Sequence, residues 1–217
     1  MVTEVEPTDH ESDRLLVTFA ELFAVLAQAG QKESTAMNIV CRDFVRFPDV
    51  LVPAGLASLV ARDLVTINGD SVDVDPRLAV AGSVLASPRT SAEVAMEWAE
   101  AATLTLAWET EVALAVLTPR AFGTFELQLL PPVPSVADFI GALAELIAGD
   151  AGARALRARL DGDDASVIEV GRADAGGWTV TAAGKSMSVG APELATTVDR
   201  LATSLLGAGT VDPESGT

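Results

Sequence analysis

Two stretches 58 residues apart, PSVADFIGALAELIAG (134–149) and PELATTVDRLATSLLG (192–207), follow one pattern. Each opens on proline, each then spaces its apolar residues at helical intervals, and each follows a region whose apolar residues recur at every second position. Aligned without gaps, Pro134 meets Pro192, Ala137 meets Ala195, Leu143 meets Leu201, Ala144 meets Ala202 and Gly149 meets Gly207. The pairs Val136/Leu194, Ile140/Val198 and Ile147/Leu205 keep the apolar stripe. A sheet with an apolar face must be covered, and a helix with one apolar stripe can cover it. The chain therefore reads as two units, each a meander followed by its helix. Two copies are too few for a solenoid, so a quasi-twofold pair, each half completing a face or edge of the other, is the economical arrangement. Two amphipathic helices that each follow a sheet would also look alike without duplication.

In the first unit Ala92, Val94, Met96 and Trp98 alternate with Ser91, Glu93, Ala95 and Glu97. Leu104, Leu106 and Trp108, then Val112, Leu114 and Val116, then Phe125, Leu127 and Leu129 continue that period, which predicts a four-strand antiparallel meander with one apolar face. TPRAFG (118–123) supplies one hairpin turn, whereas the turn around Glu109–Glu111 lacks the usual glycine. The covering helix starts at Ser135 as N-cap, with Asp138 three residues on as an aspartate version of the capping box. It turns Val136, Phe139, Ile140, Leu143, Leu146 and Ile147 inward. In the second unit ASVIEVG (165–171), WTVTAA (178–183) and KSMSVG (185–190) predict three strands, and Pro192 opens a helix with Leu194, Val198, Leu201 and Leu205 on one stripe. AGDAGARALRARLDGDD (148–164) reads as the connection between the halves.

Ahead of these units, LLVTFAELFAVLAQAG (15–30) begins extended and becomes a helix, with Leu22, Val25 and Leu26 inward and Gly30 as its stop. The segment 31–50 fits either a strand or a bent helix ended by Pro48. Pro53 then suits the first turn of a helix with Leu56, Leu59, Val60 and Leu64 on one face; Asn68-Gly69 signals a hairpin; Asp75 caps a helix with Leu78, Val80, Val84 and Leu85 inward. A helix followed by a small hairpin looks like a winged-helix DNA reader. However, the would-be recognition helix offers only Arg62, and the wing carries Asp70, Asp73 and Asp75, which would repel phosphates. The expected fold is mixed α+β: antiparallel meanders each followed by a covering helix, paired quasi-twofold, with an N-terminal helical, winged-helix-like segment. The divisions are a disordered acidic leader (1–14), a first half (15–150), a second half of three strands plus helix (151–207) and a disordered tail (208–217).

Chemistry is scarce. The lone histidine, His10, lies in the leader, where it cannot be positioned as a general base, and the lone cysteine, Cys41, sits among apolar neighbours as a small buried hydrophobe. No Cys-x-x-Cys pair is available for a metal. DGDD (161–164) offers hard oxygens but lacks the ligand spacing of a calcium loop, so an exposed acidic turn is the plainer reading. The net charge is −17, and residues 91–150 hold nine acids against one base, Arg120. If such a surface meets a partner through charge, it favours a basic or neutral one over nucleic acid, while a solvated face that keeps the protein soluble is the plainer reading. No run approaches the roughly 18 apolar residues of a membrane helix. MVTEVEPTDHESDR lacks the basic opening and apolar core of a signal peptide, so a cytoplasmic protein without membrane insertion is expected.

The order of elements resembles the EspG family, the cytosolic chaperones of ESX (type VII) secretion. The resemblance rests on LASLVARDLVTINGDSVDVDPRLAVAGSVLASP, on a meander ending FELQLLPPVPSVADFIGALAELI, and on a last hairpin running into VGAPELATTVDRLATSLLG, and it covers roughly residues 15–207. It implies a mixed α/β fold with quasi-twofold halves around a central sheet, no cofactor, no catalysis, and binding of helical secretion substrates of the PE/PPE type. Two departures stand out. The family's long helical segment between the halves is reduced here to 148–164, and GRADAGGWTVTAAGKS stands where the family has an aspartate-rich strand motif.

The function expected is therefore that of a non-enzymatic chaperone or adaptor for helical secreted proteins, with a winged-helix regulator or another α/β interaction domain as the alternative. Aromatic and arginine side chains dominate binding hot spots, which nominates Arg120 and Phe122 at a hairpin tip, together with Trp98 and Trp108. Both tryptophans also fall on the predicted apolar face, where a core role is the simpler expectation. No catalytic, cofactor or metal residue is assigned.

Overall fold

In the computed structural model, which describes residues 14–29, 48–69, 71–130, 134–174 and 176–208, the two meanders meet through their first strands. The first consists of β4 (Thr90–Trp98), β5 (Ala102–Glu109), β6 (Leu114–Pro119) and β7 (Thr124–Leu130). The second consists of β8 (Ala153–Leu160), β9 (Val167–Arg172), β10 (Trp178–Ala182) and β11 (Lys185–Val189). β4 pairs antiparallel with β8, Val94 opposite Ala158 and Met96 opposite Leu156. A further strand, β1 (Arg14–Thr18), pairs with β7, giving one nine-stranded antiparallel sheet in the order β1-β7-β6-β5-β4-β8-β9-β10-β11. The connection expected at 148–164 is therefore a central strand, and the second half has four strands rather than three. ARALRARL alternates: Leu156, Ala158 and Leu160 are buried, while Arg157 and Arg159 point to the other face. The arginines disguised a strand as a charged linker.

Each meander ends in its helix, α4 (Val136–Gly149) and α5 (Ala191–Ala208) in the numbering where α1 to α3 precede the meanders. Ser135 and Asp138 form the expected capping box: Oγ of Ser135 accepts from the Asp138 amide at 3.1 Å, and the Ser135 amide donates to Asp138 at 2.8 Å. Buried α4 residues are Val136, Ala137, Ile140, Gly141, Ala144 and Ile147, whereas Leu146 is exposed. The two helices lie on one face of the sheet and cross at equivalent positions. A Cβ on Gly141 would sit 3.1 Å from the Cβ of Asp199, which is Gly141's counterpart at the 58-residue offset. Contact between equivalent positions is what a local twofold axis requires. Beneath the helices lies one core that includes Val94, Val116, Leu156, Ile168, Trp178 and Val180.

Among the described residues, the opposite face is covered over the first half only. There α1 (Phe19–Gln28), α2 (Pro48–Ala61), the hairpin β2 (Val65–Asn68) with β3 (Ser71–Val74), and α3 (Pro76–Ala86) bury Leu106, Trp108, Leu117 and Leu127 together with Leu15 and Val17 of β1. The expectation of one apolar face fails for β5 and β6, where Thr105–Trp108 and Ala113–Leu117 are buried without a break. Pairing of Ala92 with Ala107 and of Ser91 with Trp108 turns Val94 and Trp108 to opposite faces. Alternation along each strand cannot reveal how neighbouring strands are phased, and the alanines that line the second face carry little periodic signal. The helix expected to open at Pro53 begins five residues earlier, at Pro48, leaving Pro53 inside it. Residues 30–47, with Gly30 and Cys41, lie outside the described residues, as do the leader up to Asp13 with His10 and the tail beyond Ala208. Among the described residues no helix is long and apolar enough to cross a membrane.

A buried carboxylate fixes the N-terminal helices. Thr18 caps α1 with Glu21 in a capping box, and the fully buried Glu21 carboxylate accepts from the Thr18 amide (2.7 Å), Ser58 Oγ (2.7 Å) and Arg62 (2.9 Å). Arg62 also donates to the Leu16 carbonyl at 2.8 Å, tying α2's end to β1. Burial pushes the Glu21 carboxyl up, but the hydrogen bonds from Thr18, Ser58 and Arg62, with the arginine's charge, outweigh it and hold the group below its usual range. A folded-state value below the unfolded one stabilises the protein above the unfolded pKa and ceases to do so as pH falls through the folded one.

Glu21→Gln should therefore lower stability by about 2–4 kcal/mol at neutral pH. In thermal melts the gap between wild type and variant should narrow below about pH 4, where the wild type loses the same contribution. Gly55 makes a second test. A Cβ there would lie 1.9 Å from the Ala20 carbonyl oxygen, so Gly55→Ala should force α1 and α2 apart and cost about 2 kcal/mol or more in a denaturant titration.

Candidate protein-binding surface

The β6–β7 hairpin ends in Arg120 and a short 3₁₀ turn, Ala121–Gly123. The Arg120 amide donates to the Thr124 carbonyl (2.8 Å) and Thr124 Oγ1 to the Ala121 carbonyl (2.8 Å), which closes the tip. Closing it this way places Phe122 at φ 61°, ψ 30° and Gly123 at φ 69°. Glycine tolerates that conformation, while for an L-residue it costs about 1–2 kcal/mol. The ring gains nothing in return within the chain, since Phe122 is fully exposed (103%). An unburied phenylalanine forgoes about 1.5–3 kcal/mol of hydrophobic stabilisation, which a partner that covers it would release. Backbone strain and an exposed aromatic ring coincide on one residue.

Arg120 is less free. Its guanidinium binds Glu126 through Nε (3.1 Å) and a shorter Nη2 contact, and Glu126 also accepts from Arg14 at 3.1 Å. The only base in residues 91–150 is thus paired beside the tip, leaving Phe122 as the apolar point of a locally neutral hairpin. Leu104 belongs with it. The β5–β6 register stops at Leu106 opposite Leu117, and continued by two residues it sets Leu104, 41% exposed, at the height of Pro119. Read as a strand residue on an apolar face, Leu104 gave no sign of this role, because only the early end of pairing uncovers it.

The two tryptophans separate. Trp98 is half-buried at the end of β4, its Nε1 donating to Asp150 at 2.9 Å where α4 ends, so it latches the turn from helix to β8. It lies at the same end of the sheet as the Phe122 tip, across β5 and β6. Trp108 is buried (1% exposed) on the opposite face, under the N-terminal helices, and its Nε1 has no hydrogen-bond partner. It is a core residue. The structure thus groups Arg120 and Phe122 at one tip, leaves Trp98 near that end, and removes Trp108 from any surface.

A second uncovered region is the half-face where the N-terminal helices stop. Along β8 to β11 it carries Arg157, Arg159, Glu169, Thr179, Thr181, Ser186 and Ser188, none of them buried. Its charges are mutually satisfied: Arg159 pairs with Glu93 (2.6 Å) and Asp164 (3.2 Å), and Arg157 with Glu169 (3.4 Å). Hydrogen bonds to Glu93 and Asp164 push the Arg159 pKa further up. The acidic turn 161–164 is occupied with structure, Asp161 accepting from the Ser91 amide (2.7 Å) and Asp163 from the Ala165 amide (2.9 Å). Among the described residues no cluster of His, Cys, Asp or Glu is arranged to hold a metal ion.

The winged-helix segment uses its charges internally. Arg62 is bound to Glu21 and Leu16; Asp75 caps α3 and takes Arg77 at 2.8 Å, a hydrogen bond that holds its carboxyl below the usual range. Of the hairpin's apolar residues Val65 is buried, Val74 is partly buried and Val72 is exposed, and the three line a cavity of about 210 Å³ shared with α1, α2 and α3.

No protein-family model matches the chain, and no curated protein matches it by sequence. Its fold is nonetheless similar to that of a solved structure, "Structure of the Mycobacterium tuberculosis type VII secretion system chaperone EspG5 in complex with PE25-PPE41 dimer". The likeness has a TM-score of 0.57 at 12% identity and covers 89% of this chain and 95% of that one. The chain has an EspG-like fold: one antiparallel sheet, two meanders and their paired helices.

Phe122→Gly should stabilise the protein by roughly 0.5–1 kcal/mol, raising its melting temperature by about 1–4 °C, because strain is relieved and no packing is lost. Phe122→Ala keeps the strained backbone and should leave the melting temperature unchanged.

Proposed function

We propose that this protein is a non-catalytic, cytoplasmic chaperone that binds a helical protein partner of the PE–PPE type and holds it for export by a type VII secretion system, with the Phe122 hairpin tip as its central contact. The observation that carries the reading is Phe122, a fully exposed aromatic ring on a backbone held in the left-handed region. The likeness of fold supports this reading, since the EspG5 structure it resembles is that of a chaperone in complex with a PE25–PPE41 dimer. A preformed apolar tip fits a groove or the end of a helical pair, and its rigidity lowers the entropy lost on binding.

β8 lies within 148–164, the short stretch that stands in place of the longer helical segment of the family the chain resembles. In this reading the tip, with Leu104 beside it, takes a larger share of the contact. A regulator that binds DNA is disfavoured because Arg62, the one base offered by its would-be recognition helix, is bound to a buried carboxylate.

The test is co-expression with paired small helical secreted proteins encoded beside its gene, followed by calorimetry on the purified complex. The expected result is a stoichiometric complex that Phe122→Ala weakens about 30-fold, equivalent to about 2 kcal/mol, and Arg120→Ala weakens less. Absence of a complex at micromolar concentration would reject the chaperone reading, and equal affinity of Phe122→Ala and wild type would remove the tip from it.

A further inference from the structure

The two edges of the nine-stranded sheet are finished differently. At the β1 edge, backbone groups that β7 does not use are taken by side chains: the Leu16 carbonyl accepts from Arg62 (2.8 Å) and the Thr18 amide donates to Glu21 (2.7 Å). A strand added at that edge would have to displace both of these bonds. At the far edge, β11 pairs with β10 across Ala183 and Gly184, both with positive φ (49° and 73°), as a two-residue primed turn requires. In such a hairpin the flanking pair, Ala182 and Lys185, is hydrogen-bonded, and so are Val180 with Met187 and Trp178 with Val189. The amide and carbonyl groups of Ser186 and Ser188 consequently point away from β10. Among the described residues no hydrogen bond reaches them; the Ser186 hydroxyl meets Thr181 Oγ1 at 2.8 Å, which concerns the side chain only.

We propose that β11 pairs with β11 of a second copy, antiparallel about a twofold axis at Met187, making one sheet continuous through two molecules. The pattern is self-complementary. In this register Ser186 of each copy faces Ser188 of the other, which satisfies every outward group of both, and Met187 faces its own counterpart as a non-hydrogen-bonded pair. Met187 is 41% exposed and lies on the helix-covered face with Val180, so pairing buries apolar surface where α5 already provides a wall. The serines meet on the bare polar face. β11 carries no proline, and its one charge, Lys185, lands opposite Val189 of the second copy, next to the helix whose first turn carries Glu193. Opposite charges, not like ones, are brought to the two ends of the pairing. The strand's shortness and the net charge of −17 on each copy make the association weak and salt-dependent, strengthened as ions screen the mutual repulsion.

Cysteine cross-linking of the full chain in a Cys41→Ser background tests the register. Non-hydrogen-bonded antiparallel partners lie within disulfide reach, so Met187→Cys should give a covalent dimer on mild oxidation. Lys185→Cys should not, because the two copies of that position are about 13 Å apart along the strands. Light scattering on the unmodified chain should show a mass that rises toward twice the monomer with concentration and with salt, and Ser188→Pro, which removes only an outward amide, should raise the dissociation constant about tenfold or more. A monomer at every accessible concentration with no Met187→Cys dimer would overturn the proposal, as would equal cross-linking at both positions. If Ser188→Pro loses its far-ultraviolet circular dichroism, the cross-linking pair alone decides.

Discussion

Everything in this molecule depends on the antiparallel pairing of β4 with β8, the first strands of two successive meanders. Joined there, the meanders must spread outward in opposite directions, and the helix that ends each one returns to the same face. α4 and α5 then meet over the seam, where Gly141 allows Asp199 of the other helix to approach. The pairing has a second consequence on the reverse face. The N-terminal helices cover the first meander and stop, so one side of the sheet has a single core and the other has a core on half its width and solvent on the rest. What a fold of this shape offers a partner is an edge, a flat charged half-face and hairpin tips.

Much of this was legible from periodicity. The capping box at Ser135 and Asp138, the Asn68-Gly69 hairpin, the Asp75 cap and the strands of the first meander follow from local chemistry, and local chemistry is what a sequence displays most directly. Three things were hidden, each because it depends on a neighbour distant in the chain. β8 looked like a linker because its outward positions are arginines that pair with Glu93, Asp164 and Glu169. The second apolar face of β5 and β6 was masked by alanines whose burial is set by the N-terminal helices. Glu21 carried no signal in the sequence, and Ser58 and Arg62, 37 and 41 residues away, make it the buried tie of the N-terminal module.

The candidate site was legible in part, and the division is instructive. Phe122 could be picked out because an aromatic residue in a turn has no core to join. Trp98 and Trp108 fall on an alternating strand's apolar face, where a core role is the simpler expectation, and their neighbours decide. Here Asp150 takes the indole nitrogen of Trp98, and the N-terminal helices bury Trp108. Leu104 joined the site only through the place where the β5–β6 pairing stops.

The proposed function places a protein partner at a rigid, exposed aromatic tip presented by an EspG-like fold. Hydrogen–deuterium exchange on the chain with and without a bound PE–PPE dimer tests this most directly, because it reports every surface at once. New protection is expected at Pro119–Thr124 and around Leu104, with the Glu21–Arg62 region unchanged. Protection confined to α2 and the β2–β3 hairpin, with the β6–β7 tip exchanging as freely as before, would contradict it.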